Sequence, residues 1–301
     1  MISSRILGDL IITAVIRGGL YCLMAIGLSL VFGVMNIPNF AHGEFYMIGA
    51  YVAFLAYKFL GRSPLLSVLL AAIVGFAIGA GVEKGFFYSL RKKGQKQWVW
   101  IMNTFLVTVG LSIGLQNIIQ AIFGTKYRGI EQYWQETVNI LGPTISVDRV
   151  VGILIAAVTV IVFWLFLKKT AVGKAIRAVA QDEVGAKIVG INLNNIYTLT
   201  FALSSMLAGI AGAALLSVNP AYPTMGLMPL YSSWFVVIMV GLGNIGAIPV
   251  GALVVGFIET FSYYTMGAGW QKLISILLIA LILLFKPRGL FGSPVKGIWE
   301  R

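Results

Sequence analysis

Long apolar segments alternate with short polar segments along this chain. The longest uncharged stretch runs from Ile188 to Ile258 and contains no Asp, Glu, Lys, Arg or His. Hydrocarbon excludes unpaired charge, and one helical crossing of a membrane needs about 20 mainly apolar residues. The stretch therefore has room for about three crossings, and it predicts a chain that passes through a membrane several times.

Shorter apolar segments continue this pattern through the rest of the chain. We predict an all-α polytopic membrane helix bundle of about eight or nine transmembrane helices, forming a single domain over residues 1–301. The segments expected to cross are 7–34, 40–60, 65–90, 98–123, 150–167, 196–218 and 270–285, with 230–266 forming two crossings or a re-entrant pair. Glycine and proline interrupt helices most readily, so Gly241, Gly243, Gly246 and Pro249 are expected to break segment 230–266.

Pairs of small residues indicate where helices approach each other closely. Such pairs let two backbones come near enough for extensive van der Waals contact. The pairs are Gly75 with Gly79, Gly81 with Gly85, and Ala208-Gly209 with Ala211-Gly212. We expect them to serve ordinary packing of the bundle.

The composition excludes a soluble protein. Hydrophobic residues make up 59% of the chain and charged residues 11%, with a mean hydropathy of +0.92, whereas about a quarter of a soluble domain is charged. The net charge is +12, but the basic residues cluster in 91–96, in 168–187 and in the tail from Lys286. None of these clusters is interleaved with aromatic residues in the manner of a nucleic-acid groove. Nucleic acid is therefore excluded as a partner, and membrane lipid is expected.

The charge distribution also orients the spans. Basic clusters beside membrane spans mark the cytoplasmic side, so the three clusters lie inside. Segment 124–149 balances its acidic and basic residues and is expected outside, as is the uncharged loop 219–229. Counting crossings from these points places the amino terminus outside if 7–34 and 40–60 each cross once, although Arg5 disfavours that orientation.

The cytoplasmic loop 169–195 contains an amphipathic segment. Helical spacing places Ile176, Val179, Ala180, Val184 and Ile188 on one side and Lys174, Arg177, Gln181 and Asp182 on the other. We therefore expect one short helix across the cytoplasmic face. Periodicity alone leaves open whether it docks onto a partner protein or lies on lipid headgroups.

Polar residues at membrane depth are the candidate chemistry. Asn36, Asn39, His42 and Glu44 cluster near the start of the second span, and they either bridge helices or face a transport pathway. Glu259 and Arg17 are each expected in an interhelical pair. An intramembrane enzyme is disfavoured, since one histidine and one cysteine make no metal site and no nucleophile lies at motif spacing from a base.

A series of motifs resembles one transporter family, the branched-chain amino acid ABC permeases, in its smaller, H-type subunit. The motifs, in the order of the family, are residues 36–51 (NIPNFAHGEFYMIGAY), Glu83 with Leu90-Arg91, 108–112 (TVGLS), 173–192 (GKAIRAVAQDEVGAKIVGIN), 201–212 (FALSSMLAGIAG), 240–243 (VGLG) and 286–292 (KPRGLFG). Related permeases carry urea or short amides. The resemblance is therefore more specific for the family than for the solute.

The resemblance implies one permease of a type II ABC importer in the cell inner membrane. A second homologous permease, two cytoplasmic ATPase subunits and an extracytoplasmic binding protein would complete it, and the solute would be a branched-chain or other hydrophobic amino acid. By this resemblance the segment docks on an ATPase, and the expected coupling residues are Gly173, Lys174, Arg177, Ala178, Gln181, Asp182 and Gly190.

Two features that the sequence lacks agree with an importer in which other subunits bind ATP and capture the solute. The sequence contains no Gly-x-x-x-x-Gly-Lys-Ser/Thr loop for phosphates, so we expect no cofactor on this chain and ATP with Mg²⁺ on the partner ATPases. The longest outer loop, about 124–149, is too short to enclose an amino acid in a domain with its own core. A stand-alone channel or secondary transporter remains the rival hypothesis, since composition alone fits it equally well.

Overall fold

The computed structural model describes residues 4–61, 63–94, 96–139 and 143–292, with side chains described from residue 6 onward. The chain is almost entirely helical in these ranges. The elements are α1 Ser4–Met35, α2 His42–Leu60, α3 Pro64–Val82, a π-helical turn Glu83–Phe87, α4 Tyr88–Arg91, α5 Gln97–Phe123, β1 Thr137–Asn139, β2 Thr144–Ser146, α6 Val147–Lys169, α7 Ala171–Gln181, α8 Glu183–Ile188, α9 Leu193–Ala214, α10 Leu227–Val240, a 3₁₀ turn Ile245–Ala247, α11 Ile248–Met266 and α12 Ala268–Phe285.

The predicted polytopic helix bundle is confirmed. Within the described ranges, seven helices are long and apolar enough to cross a membrane: Ile6–Met35, Pro64–Arg91, Gln97–Phe123, Val147–Lys169, Leu193–Ala214, Ile245–Met266 and Ala268–Phe285. The expected total of about eight or nine also counted α2 and α10, which do not meet that criterion. At 14 residues and a rise of 1.5 Å per residue, α10 is about 21 Å long, shorter than the roughly 30 Å of hydrocarbon. Segment 230–266 therefore holds one short helix and one span.

Two helices, α2 and α10, begin part-way through the depth of the bundle. The Thr108 hydroxyl donates to the Pro38 carbonyl, 3.1 Å away, and Thr108 lies about 16 Å along α5 from its first residue. The start of α10 meets the start of α2, because a Cβ on Gly43 would lie 2.6 Å from the Gly226 carbonyl oxygen. The first residues of α2 and Gly226 at the start of α10 are buried, in keeping with the need to cover irregular backbone at membrane depth.

The direction of α1 follows from its packing on α11. Gly256 packs against Ala14 and Gly18, whereas Gly243, just before α11, lies against Gly33, so the two helices are antiparallel. Gly241 lies against the basic tail near Arg288, the side that its charge assigns to the cytoplasm. The first residues of α1 are therefore on the outer side.

Two outer loops are joined by backbone hydrogen bonds. Arg128 and Ala221 exchange both N–H to carbonyl bonds, at 2.8 and 2.9 Å. This bridge places the loop after α9 on the same side of the bundle as segment 124–149, where the charge pattern expects both. The expected span 196–218 ends earlier, at Ala214, and the chain after it turns back toward Gly226.

The centre of the bundle is formed by α1 and α9. In each, 83% of the most apolar stretch is buried, compared with 11% in α5 and in α12. Small residues permit this contact: a Cβ on Gly75 would lie 2.8 Å from the Ser205 carbonyl oxygen, and Gly209 and Gly212 lie against the backbones of α3 and α2. The predicted packing is thus confirmed for these glycines. It is wrong for Gly81 and Gly85, whose Cβ positions have no heavy atom of the described residues within 4 Å.

We expect Gly49→Ala to destabilise the protein strongly. A Cβ there would lie 2.6 Å from the Gly209 carbonyl carbon, and backbone cannot yield as a flexible side chain can. The cost should reach about 3 kcal/mol, the upper end of overpacking effects, measured as a lower melting temperature in detergent. Gly81→Ala, which adds the same methyl group in open space, is the matched control. Equal melting temperatures for both variants would contradict this packing account.

Candidate functional site

The cytoplasmic segment begins with a sharp turn between α6 and α7. The Thr170 side chain caps α7 by accepting the Gly173 N–H at 3.0 Å and donates to the Phe166 carbonyl at 2.7 Å. Gly173 is buried where α7 folds back, and its Cβ would lie 2.6 Å from Leu167 Cα. Only glycine fits this position, so the turn sets the direction in which α7 leaves α6.

The expected single helix is two helices. Asp182 adopts extended backbone angles, and its Oδ1 accepts the Val184 N–H at 3.1 Å. An aspartate in this position is a preferred helix start, so it ends α7 and begins α8. Only Ile176 and Val179 of the predicted apolar face are buried. The expectation was wrong for the others, since Ala180 is exposed and Val184 and Ile188 are 65% and 79% exposed.

The other predicted coupling residues mostly face outward. Lys174, Arg177, Gln181 and Asp182 are exposed, Ala178 is half-buried, and Gly190 turns the chain out of α8 with a φ of +87°. Sequence reasoning missed the apolar tip formed by Val184, Ile188 and Val189, which periodicity had assigned in part to the buried side. The segment thus presents a charged face and an apolar tip while its own core packs on the bundle.

At the start of α2, the four predicted polar residues have different surroundings. Asn36 ends α1 in the left-handed region, with a φ of +53°, and asparagine tolerates that conformation better than most residues. Asn39, His42 and Glu44 are fully buried. The structure therefore brings three of the four into the protein interior at the point where α2 begins.

His42 bridges three helices. Its Nε2 lies 3.0 Å from the Met24 carbonyl of α1 and its Nδ1 lies 3.3 Å from the Ser204 hydroxyl of α9. The same hydroxyl donates to the Gly27 carbonyl at 2.8 Å. With Nε2–H donating to Met24, Nδ1 is an acceptor that competes with the Gly27 carbonyl for the single Ser204 proton. These contacts join α2 to the central pair α1 and α9.

Glu44 is held by α5. Its Oε1 accepts from the Ser112 hydroxyl and from Gln116 Nε2, each at 2.8 Å. These donors belong to a polar stripe at four-residue spacing on an otherwise apolar helix: Thr104, Thr108, Ser112 and Gln116. Sequence reasoning did not identify the stripe as a contact surface. Its helical spacing is the signal that would have revealed it.

Glu259 forms the interhelical pair that the sequence predicted. Lys272 Nζ of α12 lies 2.7 Å from its Oε1, which also accepts from the Ser232 hydroxyl at 2.9 Å. Its Oε2 accepts from the Tyr21 hydroxyl at 2.6 Å and from Gln271 Nε2 at 3.0 Å. One carboxylate thus joins α1, α10, α11 and α12.

Two arginine side chains, Arg17 and Arg91, also make contacts within the bundle. The Arg17 guanidinium lies 5.7 Å from the centre of the Tyr263 ring, within cation–π range, so its interhelical contact is aromatic. Arg91 pairs with the fully buried Glu83, which also accepts from the Thr198 hydroxyl. Glu83 begins the π-helical turn, a feature that is frequent at functional sites.

The fold defines a multi-pass helical membrane protein of the transporter class. The buried carboxylates of Glu83 and Glu259 are paired with basic side chains. Two of the helices begin at mid-depth, and such interrupted helices are typical of transport pathways. A model of the family described as "Branched-chain amino acid transport system / permease component" matches residues 10–285. The chain belongs to this family, which makes it a permease component.

Individual relatives are similar over nearly their whole length. The high-affinity branched-chain amino acid transport system permease protein BraD of Pseudomonas aeruginosa is 30% identical, over 92% of this chain and 93% of BraD. The corresponding protein LivH of Escherichia coli is 26% identical, over 92% of each chain. LivM, another permease protein of that transport system in Escherichia coli, is 27% identical over 90% of this chain and 67% of LivM.

We expect Lys272→Met to lower stability by about 3–5 kcal/mol, because it leaves Glu259 buried without its cation. The measurement is the melting temperature of the purified protein in detergent. The double variant Glu259→Gln with Lys272→Met removes both charges and should recover part of the loss. If the double variant melts no higher than Lys272→Met alone, the ion pair does not carry the effect.

Proposed function

We propose that this chain is one of two permease subunits of an ATP-driven importer in the cell inner membrane. The solute is a branched-chain or other hydrophobic amino acid, delivered by an extracytoplasmic binding protein. Family membership supports the permease role, and the names of BraD and LivH support the solute class. The similarity to LivM supports pairing with a second, homologous permease.

The observation that carries the proposal is the exposed segment α7–α8. A stand-alone channel has no need of a cytoplasmic docking element, yet here Lys174, Arg177, Gln181 and the apolar tip are all turned away from the bundle. The charged face and the tip together suit a groove on an ATPase subunit, which would hold ATP and Mg²⁺. The sequence of this chain has no phosphate-binding loop of its own.

Motion of this segment is transmitted directly to the membrane-spanning helices. The buried face of α7, with Ile176 and Val179, belongs to the same core as α1, α6 and α9. Since α1 and α9 hold His42 at the start of α2, displacement of α7 acts on the helices around the mid-depth break. Alternating access then follows if the two ATPases close and open on ATP binding and hydrolysis.

Reconstitution tests the function as a whole. The permease pair, its ATPases and candidate binding proteins are placed in proteoliposomes, and uptake of labelled leucine is compared with uptake of urea and acetamide. We expect leucine uptake that depends on ATP and on the loaded binding protein. Uptake of urea or acetamide in place of leucine would overturn the solute class, and uptake by this chain alone without ATP would identify a channel.

We expect Arg177→Glu to reduce ATP hydrolysis stimulated by the loaded binding protein at least tenfold, because it reverses a charge in the centre of the proposed docking face. An exposed lysine of the cytoplasmic cluster 91–96, Lys93, lies outside α7 and α8 and provides the matched control as Lys93→Glu. Hydrolysis is measured on complexes with equal melting temperature. Stimulation that survives in Arg177→Glu at the level of the control is incompatible with ATPase docking at α7.

A further inference from the structure

Three fully buried glutamates differ in how their charge is compensated. Glu83 has Arg91 and Glu259 has Lys272, and each of these carboxylates accepts hydrogen bonds on both oxygens. Glu44 has no basic side chain within ion-pair distance among the described residues. A charge at membrane depth without a partner is costly, and such residues mark substrate pathways. The exception therefore points to a cation that is not part of this chain.

The geometry of Glu44 leaves one oxygen for that purpose. Ser112 and Gln116 both donate to Oε1, whereas Oε2 is buried and has no hydrogen-bond partner in the part of the chain that the structure describes. Asn39, three residues before the start of α2, is also fully buried, and both its amide atoms lack partners in the same ranges. Unpaired polar atoms of this kind cost about 1–3 kcal/mol each, so a ligand that satisfies them is favoured.

Aromatic side chains pack around Phe40, which directly follows Asn39 in the chain and lies four residues before Glu44. Phe40 makes an edge contact with Phe105 of α5, at 5.3 Å between ring centres, and a tilted contact with Trp234 of α10, at 5.7 Å. The Trp234 indole N–H is buried without an acceptor among residues 4–61, 63–94, 96–139 and 143–292. An apolar wall with donors and a carboxylate nearby suits a small zwitterion with an apolar side chain.

We propose that Glu44 Oε2 accepts the N–H groups of the solute's amino group during passage, with Asn39 beside it and the solute's apolar side chain against Phe40 and Trp234. This inference rests on the proposed function, under which the group is the α-ammonium of an amino acid. An ammonium group offers three donors and the missing positive charge. The amide N–H groups of urea or a short amide would share the donor chemistry without the charge.

Access to Glu44 requires movement of α5. The carboxylate is occluded in this conformation, and Ser112 and Gln116 cover it. α5 buries only 11% of its most apolar stretch within the bundle, compared with 83% in α1 and α9, so its displacement exposes less apolar surface than displacement of either central helix. A small tilt of α5 uncovers Oε2 while Ser112 and Gln116 still donate to Oε1 and keep the carboxylate in place.

Glu44→Gln tests the assignment in the complete reconstituted transporter. Glutamine keeps the volume and an oxygen for Ser112 and Gln116 but loses the charge. We expect leucine transported per ATP hydrolysed to fall at least tenfold, while the melting temperature and co-purification of the second permease stay unchanged. Thr104→Val, on the same stripe but bonded only to its own helix, should keep the wild-type ratio.

Each outcome decides between the claims. If wild-type protein carries leucine and Glu44→Gln carries it at the same ratio, the inference is wrong and the proposed function stands. Loss of the second permease from Glu44→Gln would assign the missing cation to that subunit and also overturn the inference. If wild type carries urea or acetamide instead, both the proposed function and the assignment of an ammonium group to Glu44 are wrong.

A second measurement applies if the variant fails to assemble. Dicyclohexylcarbodiimide, which modifies buried carboxyl groups, is added to wild-type transporter with and without leucine-loaded binding protein and ATP, and modified peptides are identified by mass spectrometry. We expect modification at Glu44, little at the cation-paired Glu83 and Glu259, and protection of Glu44 by leucine. Modification of Glu44 that leucine leaves unchanged would overturn the proposal.

Discussion

The need to compensate every polar group at membrane depth shapes this protein more than any other constraint. Hydrocarbon supplies no hydrogen bonds and does not screen charge, so a buried donor, acceptor or ion that lacks a partner in the protein is costly. Glu259 binds four donors from three helices, and His42 connects α2 to α1 and α9. Helices that share such a group are fixed relative to one another, because separating them would leave the group unpaired.

The same constraint explains how two helices begin at mid-depth. In the irregular backbone before α2, Ile37, Asn39 and Ala41 are fully buried, and Thr108 of α5 donates to the Pro38 carbonyl. The starts of α2 and α10 meet through Gly43 and Gly226, where side chains would prevent contact. Interruption of a helix is therefore tolerated only because neighbouring helices cover the break, and the break places Asn39 and Glu44 in the interior.

The bundle combines a fixed centre with a loosely held periphery. α1 and α9 are enclosed on most sides and receive the buried face of α7. By contrast, the buried residues of α5 are Thr104, Thr108 and Ser112 of its polar stripe, and its apolar residues are only partly covered. Such a division suits a permease, since force applied at the cytoplasmic segment reaches the central helices while a peripheral helix is free to shift. Packed helices transmit displacement because their interior is dense and has few voids.

Composition and pattern alone determined that the chain spans the membrane repeatedly and where most of the spans lie. They also determined that segment 230–266 is interrupted. An amphipathic segment was correctly placed between the spans that the structure shows as α6 and α9. These are local properties, because exclusion of charge from hydrocarbon and helical periodicity act within 20 or so residues. The division of the amphipathic segment at Asp182 was missed, since a side-chain cap there overrides the apolar period.

Only the tertiary structure decided which polar residues are paired: Glu44 meets Ser112 at a separation of 68 residues and Tyr21 meets Glu259 at 238. Partners so distant in the chain leave no periodic signal, so the contrast between the paired Glu259 and the half-paired Glu44 becomes visible only in the folded bundle.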